Sequence, residues 1–178
     1  MPTLLQISQL GHSVLREKCK EIKNIKDPAI QALIDDMIAT CQDAGGVGIA
    51  APQVYQPLRL FIIASKPSPR YPNAPDMEPT AIINPIMISM SKEVDRGWEG
   101  CFSIPGIRGQ VPRFKGIIAG FYDRQGVWQQ KGFEDFVARV FQHEFDLIDG
   151  VFFLDRTDPR DLISEKEYQK IVVASTKK

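Results

Sequence analysis

The stretch "QHEFDLIDG", Gln142 to Gly150, decides how this chain is read. A His followed at once by Glu on a helix is the first half of a metallohydrolase signature, in which a second His stands four residues after the first. Here that place holds Leu147. Just upstream, Phe136, Val140, His143 and Leu147 recur at i, i+4, i+7 and i+11, a helical period that begins near Phe133, and Gly150 is well placed to end the helix. With Leu147 completing the apolar stripe around His143, this helix can stay packed without a metal.

Working outward, the clearest other helix starts at Asp27 as N-cap, with Pro28 at the first helical position. Ile30, Leu33, Ile34, Met37, Ile38 and Cys41 then follow at helical spacing, until Gly45 and Gly46 stop it. Two β-like runs, Leu58 to Ser65 and Thr80 to Ser89, flank a segment whose five prolines exclude regular structure. A strand pair is expected in "GIIAGFYD" and "VWQQKGF", joined by the turn "DRQG" at Asp123 to Gly126. From Pro159 the tail has room for a short helix, with fraying expected. Helix, strands, helix in that order predicts an α+β fold rather than βαβ units.

A chain of 178 residues supports one domain with a substantial core. The expected boundaries are 1–165 for the domain and 166–178 for the tail. Lys plus Arg and Asp plus Glu balance at 22 each, so no bulk attraction to DNA or to an anionic membrane is expected. No apolar run approaches the ~20 residues of a membrane span. The start of the chain lacks the features of a secretory signal, and Cys19, Cys41 and Cys101 are too few and too odd in number for a disulfide framework. A reducing cytosol is the simplest compartment, or an organelle if a transit peptide was trimmed.

Taken singly, the candidate functional residues are weak. A lone His on a helix is more often structural than a ligand, and Cys101 in "EGCFS" reads first as a small buried hydrophobe. "GVGIAAPQ", Gly46 to Gln53, has small residues that would let a backbone pass close to a ligand, but its plainer reading is a tight loop before a strand. It is not a phosphate loop, since no Gly-Lys-Ser/Thr follows.

Together and in order, "GVGIAAPQ", "EGCFS" and "QHEFD" resemble the three motifs GxGxAAxQ, EGCxS and QHExDH of the peptide deformylase family. "GHSVLR", "INP", "VPRF" and "GVFFLDR" extend the resemblance over nearly the whole chain, with Ser13 where the family usually has Pro. It implies antiparallel strands packed around the central "QHEFD" helix. It also implies removal of the formyl group from N-terminal formylmethionine of new polypeptides, at the ribosome, using ferrous iron or zinc. By that resemblance Cys101 and His143 are metal ligands and Glu144 is the general base. Gln53 and the backbone N–H of Phe102 stabilise the oxyanion, and Gly48 pairs with the peptide backbone. The third ligand position is Leu147, which offers no lone pair, and a catalytic site normally needs three protein ligands.

His12, Asp146 and Glu144 are the groups left to replace that ligand, and the sequence favours none. If His143 is buried without metal it needs a hydrogen-bond partner, for which Glu144, Gln53 or water are candidates. The expectation is a metal-free protein or reduced occupancy, with impaired hydrolysis. The alternatives are a non-catalytic protein that binds peptide N-termini, and a Cys101 nucleophile activated by His143.

Overall fold

The computed structural model describes residues 1–68 and 71–174. Helix α1, Pro28–Asp43, begins as expected: the Asp27 carboxylate accepts from the Ala29 N–H at 2.9 Å and Pro28 occupies the first turn. Strands β1 (Gly48–Ala50), β2 (Leu60–Ile63) and β3 (Thr80–Met90) follow, all antiparallel neighbours. Then come β4 (Val94–Cys101), β5 (Ile104–Phe114), β6 (Gly116–Tyr122), β7 (Trp128–Glu134) and helix α2 (Asp135–Ile148). A short strand β8 (Leu162–Ser164) and a helical turn α3 (Glu165–Tyr168) lie in the tail. One sheet has the order β1-β2-β3-β6-β7 and the other β4-β5-β8. The α+β expectation, with antiparallel strands around the motif helix, is borne out.

The side-chain alternation of β2 explains why this run is apolar throughout. Phe61 and Ile63 join the core formed with α2, whereas Leu60 and Ile62 join a second core formed with α1. A strand covered on both faces reads as a continuous hydrophobic run. α2 packs against β1, β2, β5, β6 and β7 and is the hub of the first core.

Two of the sequence motifs find structural reasons. Asn84 of "INP" has a left-handed φ of 48°, within a bulge that interrupts the β3–β6 register. Its side-chain amide exchanges two 2.9 Å hydrogen bonds with the backbone of Ile22 and so ties the N-terminal segment to the sheet. Pro85 sits in the same irregularity, where its missing N–H is tolerated. Gly150 ends α2 with φ 75°, and a Cβ there would lie 2.6 Å from the Arg16 carbonyl oxygen. This is the position in the chain where glycine is most clearly enforced.

The hairpin of β4 and β5 was not expected from sequence. β4 runs "VDRGWEGC" with most residues exposed or half-buried, so it shows no apolar alternation. "GVGIAAPQ" also differs from the tight-loop reading, because it supplies β1 and then one turn of 3-10 helix at Ala51–Val54.

Candidate active-site cleft

A cleft opens between β1, the end of β4 and α2, lined by Gly48, Gln53, Cys101, Phe102, His143 and Glu144 among others. The three motifs meet here, and the residues expected to act together are brought together. Cys101 ends β4, and its Sγ accepts from Gln53 Nε2 at 3.3 Å. The same Gln53 nitrogen donates to Ser103 Oγ at 3.2 Å, and its Oε1 accepts from the Ala50 N–H at 2.9 Å. The Gln53 amide is therefore fixed at every polar atom, which turns its N–H groups to the Cys101 side of the cleft.

Glu144 is buried behind Gly48, where a Cβ would lie 2.6 Å from Glu144 Oε1. Gly48 is thus required by the carboxylate beside it, and it stands on an edge strand of the sheet. Glu144 Oε2 is buried without a protein hydrogen-bond partner. Burial, opposed by the nearby His143 charge and reinforced by Glu99, pushes the Glu144 carboxyl up to about 7.

His143 finds a partner that the sequence did not point to. Its Nδ1 lies 2.8 Å from Glu99 Oε2, so neither Glu144 nor Gln53 holds that nitrogen. The charged groups around it explain this choice. Glu99 accepts two 2.9 Å bonds from Arg113 and one of 3.0 Å from Arg139. Arg113 also donates to Asp146 at 2.5 Å, and Asp146 takes two 2.6 Å bonds from Arg156. Burial disfavours charge on the imidazole, but hydrogen bonds to Cys101 and Glu99 and the nearby carboxylates outweigh it and hold His143 well above its usual pKa. Burial likewise opposes ionisation of Glu99, yet His143 and Arg113 keep it far below the ordinary carboxylate range.

Of the groups considered as replacements for the third ligand, Asp146 and His12 are otherwise engaged. Asp146 is tied up by two arginines, and Glu144 lies against Gly48. His12 caps a 3-10 turn, with Nδ1 accepting from Val14, and its ring packs edge-on against Tyr55 at 5.0 Å. Leu147 is 1% exposed and belongs to the core with Phe141, Ile148 and Phe152. Among the described residues no group of three His, Cys, Asp or Glu side chains is placed to hold a metal ion. Cys101 and His143 supply two donors, and the residues present do not fit a three-ligand metal centre.

Glu99 and Arg113 were missed as site residues, and Asp146 was weighed only as a replacement ligand, although each stands inside one of the quoted stretches: "EGCFS", "VPRF" and "QHEFD". The available signal was one charged residue per motif with no assigned role.

Comparison with known proteins agrees with the motif reading. The family model described as polypeptide deformylase matches residues 4–162. The chain is 56% identical over 177 residues to Peptide deformylase 2 of Nostoc sp., covering 99% of both chains. It is 42% identical over 153 residues to Peptide deformylase 2 of Shewanella oneidensis, covering 86% of this chain and 84% of that one. Among solved structures, the Met-Ala-Ser-bound class I type b peptide deformylase of Acinetobacter baumannii is similar, with TM-score 0.85 and 37% identity over 88% of this chain and 99% of that one. The peptide deformylase of Thermotoga maritima gives 0.79 and 33% over 88% of this chain and 99% of that one.

Proposed function

The chain belongs to the peptide deformylase family, and from this premise we propose that its cleft binds formylmethionine N-termini of new polypeptides and hydrolyses the formyl amide with impaired efficiency. The observation that carries this reading is Glu144: buried, held near neutral pKa, and aimed into the cleft with one carboxylate oxygen lacking a protein partner. A carboxyl tuned to about 7 is suited to take a proton from the attacking water and return it to the leaving amine. The Gln53 side-chain N–H and the Phe102 backbone N–H would stabilise the oxyanion, and Gly48 on its edge strand would pair with the peptide backbone. This function is assigned to one domain, residues 1–165, with 166–178 as its tail.

Impairment follows from Leu147. Cys101 and His143 are the two residues available to an iron or zinc ion, and the third position is closed by a buried leucine. The same observation favours a second reading, a non-catalytic protein that keeps the cleft and recognises peptide N-termini.

Metal analysis together with a formyl-Met-peptide assay separates the two. Weak turnover with substoichiometric metal supports the impaired enzyme. Absence of turnover and of metal, with measurable peptide binding, defeats it in favour of the binder. Leu147→His is expected to raise metal content and hydrolysis together, and a variant that changes neither would remove Leu147 as the cause.

A further inference from the structure

Helix α2 carries one side of the cleft. Phe136, Arg139, Val140 and His143 all line it, at the spacing that places residues on one helical face. With a rise of about 1.5 Å per residue, Arg139 stands roughly 6 Å and Phe136 roughly 10 Å before His143 along the helix axis. A side chain that leaves the end of the cleft beside His143 and Glu144 and runs back along α2 therefore passes Val140 and meets Arg139.

Behind Arg139 lies a second cavity of about 200 Å³, beside the 230 Å³ of the cleft. Among the described residues, Phe136 and Arg139 are the two that line both. Asp95, Lys115 and Asp135 make the far side of the second cavity polar, and the Asp95 and Lys115 side chains keep 66% and 47% of their surface. Phe136 is braced by Tyr71, with ring centres 5.4 Å apart.

The Arg139 guanidinium is held in place from three sides. Nη1 donates to Glu99 at 3.0 Å and to the Val111 carbonyl at 2.8 Å, and Nη2 donates to the Asp95 carbonyl at 2.9 Å. The space it occupies exists because residue 97 is glycine: a Cβ there would lie 2.8 Å from Arg139 Cζ and 2.9 Å from its Nε and Nη2. Glu99 neutralises the charge, which is what allows a guanidinium only 13% exposed at this position. The same carboxylate holds His143, so both ends of this side of the cleft are fixed to one group.

Resting on the reading that the cleft takes methionine-led peptides, we propose that Arg139 is a specificity residue. Its guanidinium, seated over Gly97, ends the space for the first side chain and shuts it off from the second cavity. The cleft therefore takes an unbranched side chain of methionine's length and rejects longer ones. Removing or displacing the guanidinium joins the two cavities and lifts that limit.

The test is calorimetric titration of the full chain with three tripeptides, each ending in Ala-Ser and led by methionine, ethionine or S-hexylhomocysteine, which differ only in the alkyl group on sulfur. Overfilling a closed space is costly, so the wild-type chain is expected to bind the S-hexyl peptide about tenfold or more weakly than Met-Ala-Ser, with the ethionine peptide between them. In Arg139→Ala the S-hexyl peptide should bind at least as tightly as Met-Ala-Ser, because its added methylenes gain burial. Gly97→Ala keeps the charge but displaces the tip of Arg139, and should move the limit in the same direction. A wild-type chain that binds the S-hexyl peptide as well as Met-Ala-Ser overturns the inference, and so do folded variants that both keep the wild-type limit. If neither variant folds, the wild-type series decides: discrimination against the S-hexyl peptide supports the inference and its absence overturns it. Equal binding of all three peptides by the wild-type chain removes only this inference, whereas binding of none removes the proposed function as well.

Discussion

Gly48 leaves no room for a methyl group, because the Glu144 carboxylate fills the space a Cβ would take. Gly48→Ala should push Glu144 out of its position and cost about 1–3 kcal/mol, measurable by chemical denaturation alongside loss of peptide hydrolysis. Leu147 presents the opposite case, a side chain that fills its site well. Leu147→His should lower stability by about 1–3 kcal/mol in chelator, since an imidazole would be buried without a partner. Added zinc should then raise its melting temperature above the chelated value, because metal that binds only the folded state stabilises it. A melting temperature indifferent to zinc would show that the restored side chain does not complete a site.

At the scale of elements, α2 and the β4–β5 hairpin are joined by buried charge. Arg113 on β5 bridges Glu99 on β4 and Asp146 on α2, and all three are at least nine-tenths buried. Breaking such a pair strands charges in a medium that solvates them poorly. Arg113→Met should therefore cost about 3–5 kcal/mol and loosen His143 through Glu99. Denaturation midpoints check the first effect, and the His143 ring resonance by NMR checks the second. This network also accounts for what the sequence concealed. β4 and β5 turn charged and polar residues into the interior, so the apolar runs that revealed β2 and β6 are absent from them. The helices were legible because Asp27, Pro28 and Gly150 act locally, through capping and a positive φ, and need no distant partner.

At the scale of the whole molecule, the β1–β2–β3 sheet lies between α1 and α2, and the cleft is cut where α2 faces β1 and the end of β4. Among the described residues no helix is long and apolar enough to cross a membrane. The depth of the cleft gives stability a pH dependence. In the metal-free protein, folding raises the Glu144 carboxyl from its ordinary 4.5 to about 7, so the folded state holds that proton more tightly than the unfolded chain. The stabilisation from the neutral acid is full below 4.5 and is lost as pH rises through about 7. Its size is a few kcal/mol, at roughly 1.4 kcal/mol per unit. Glu144→Gln should flatten the fall in stability between about pH 5 and pH 8, measured by denaturation in chelator. His143, also held charged in the folded state, acts in the same direction, so a residual slope should remain. An unchanged slope in the variant would show that Glu144 ionises as readily folded as unfolded.

The sequence by itself determined the class of fold, the helix boundaries, the family through "GVGIAAPQ", "EGCFS" and "QHEFD", and the loss of a donor at Leu147. Those features are local, or consist of motif letters that can be read without knowing their neighbours. Only the tertiary structure decided that Glu99 rather than Glu144 or Gln53 holds His143, that Asp146 belongs to Arg113 and Arg156, and that Glu165 reaches the cleft. Each of those choices depends on which charges burial forces together across dozens of residues, and chain order carries no record of that.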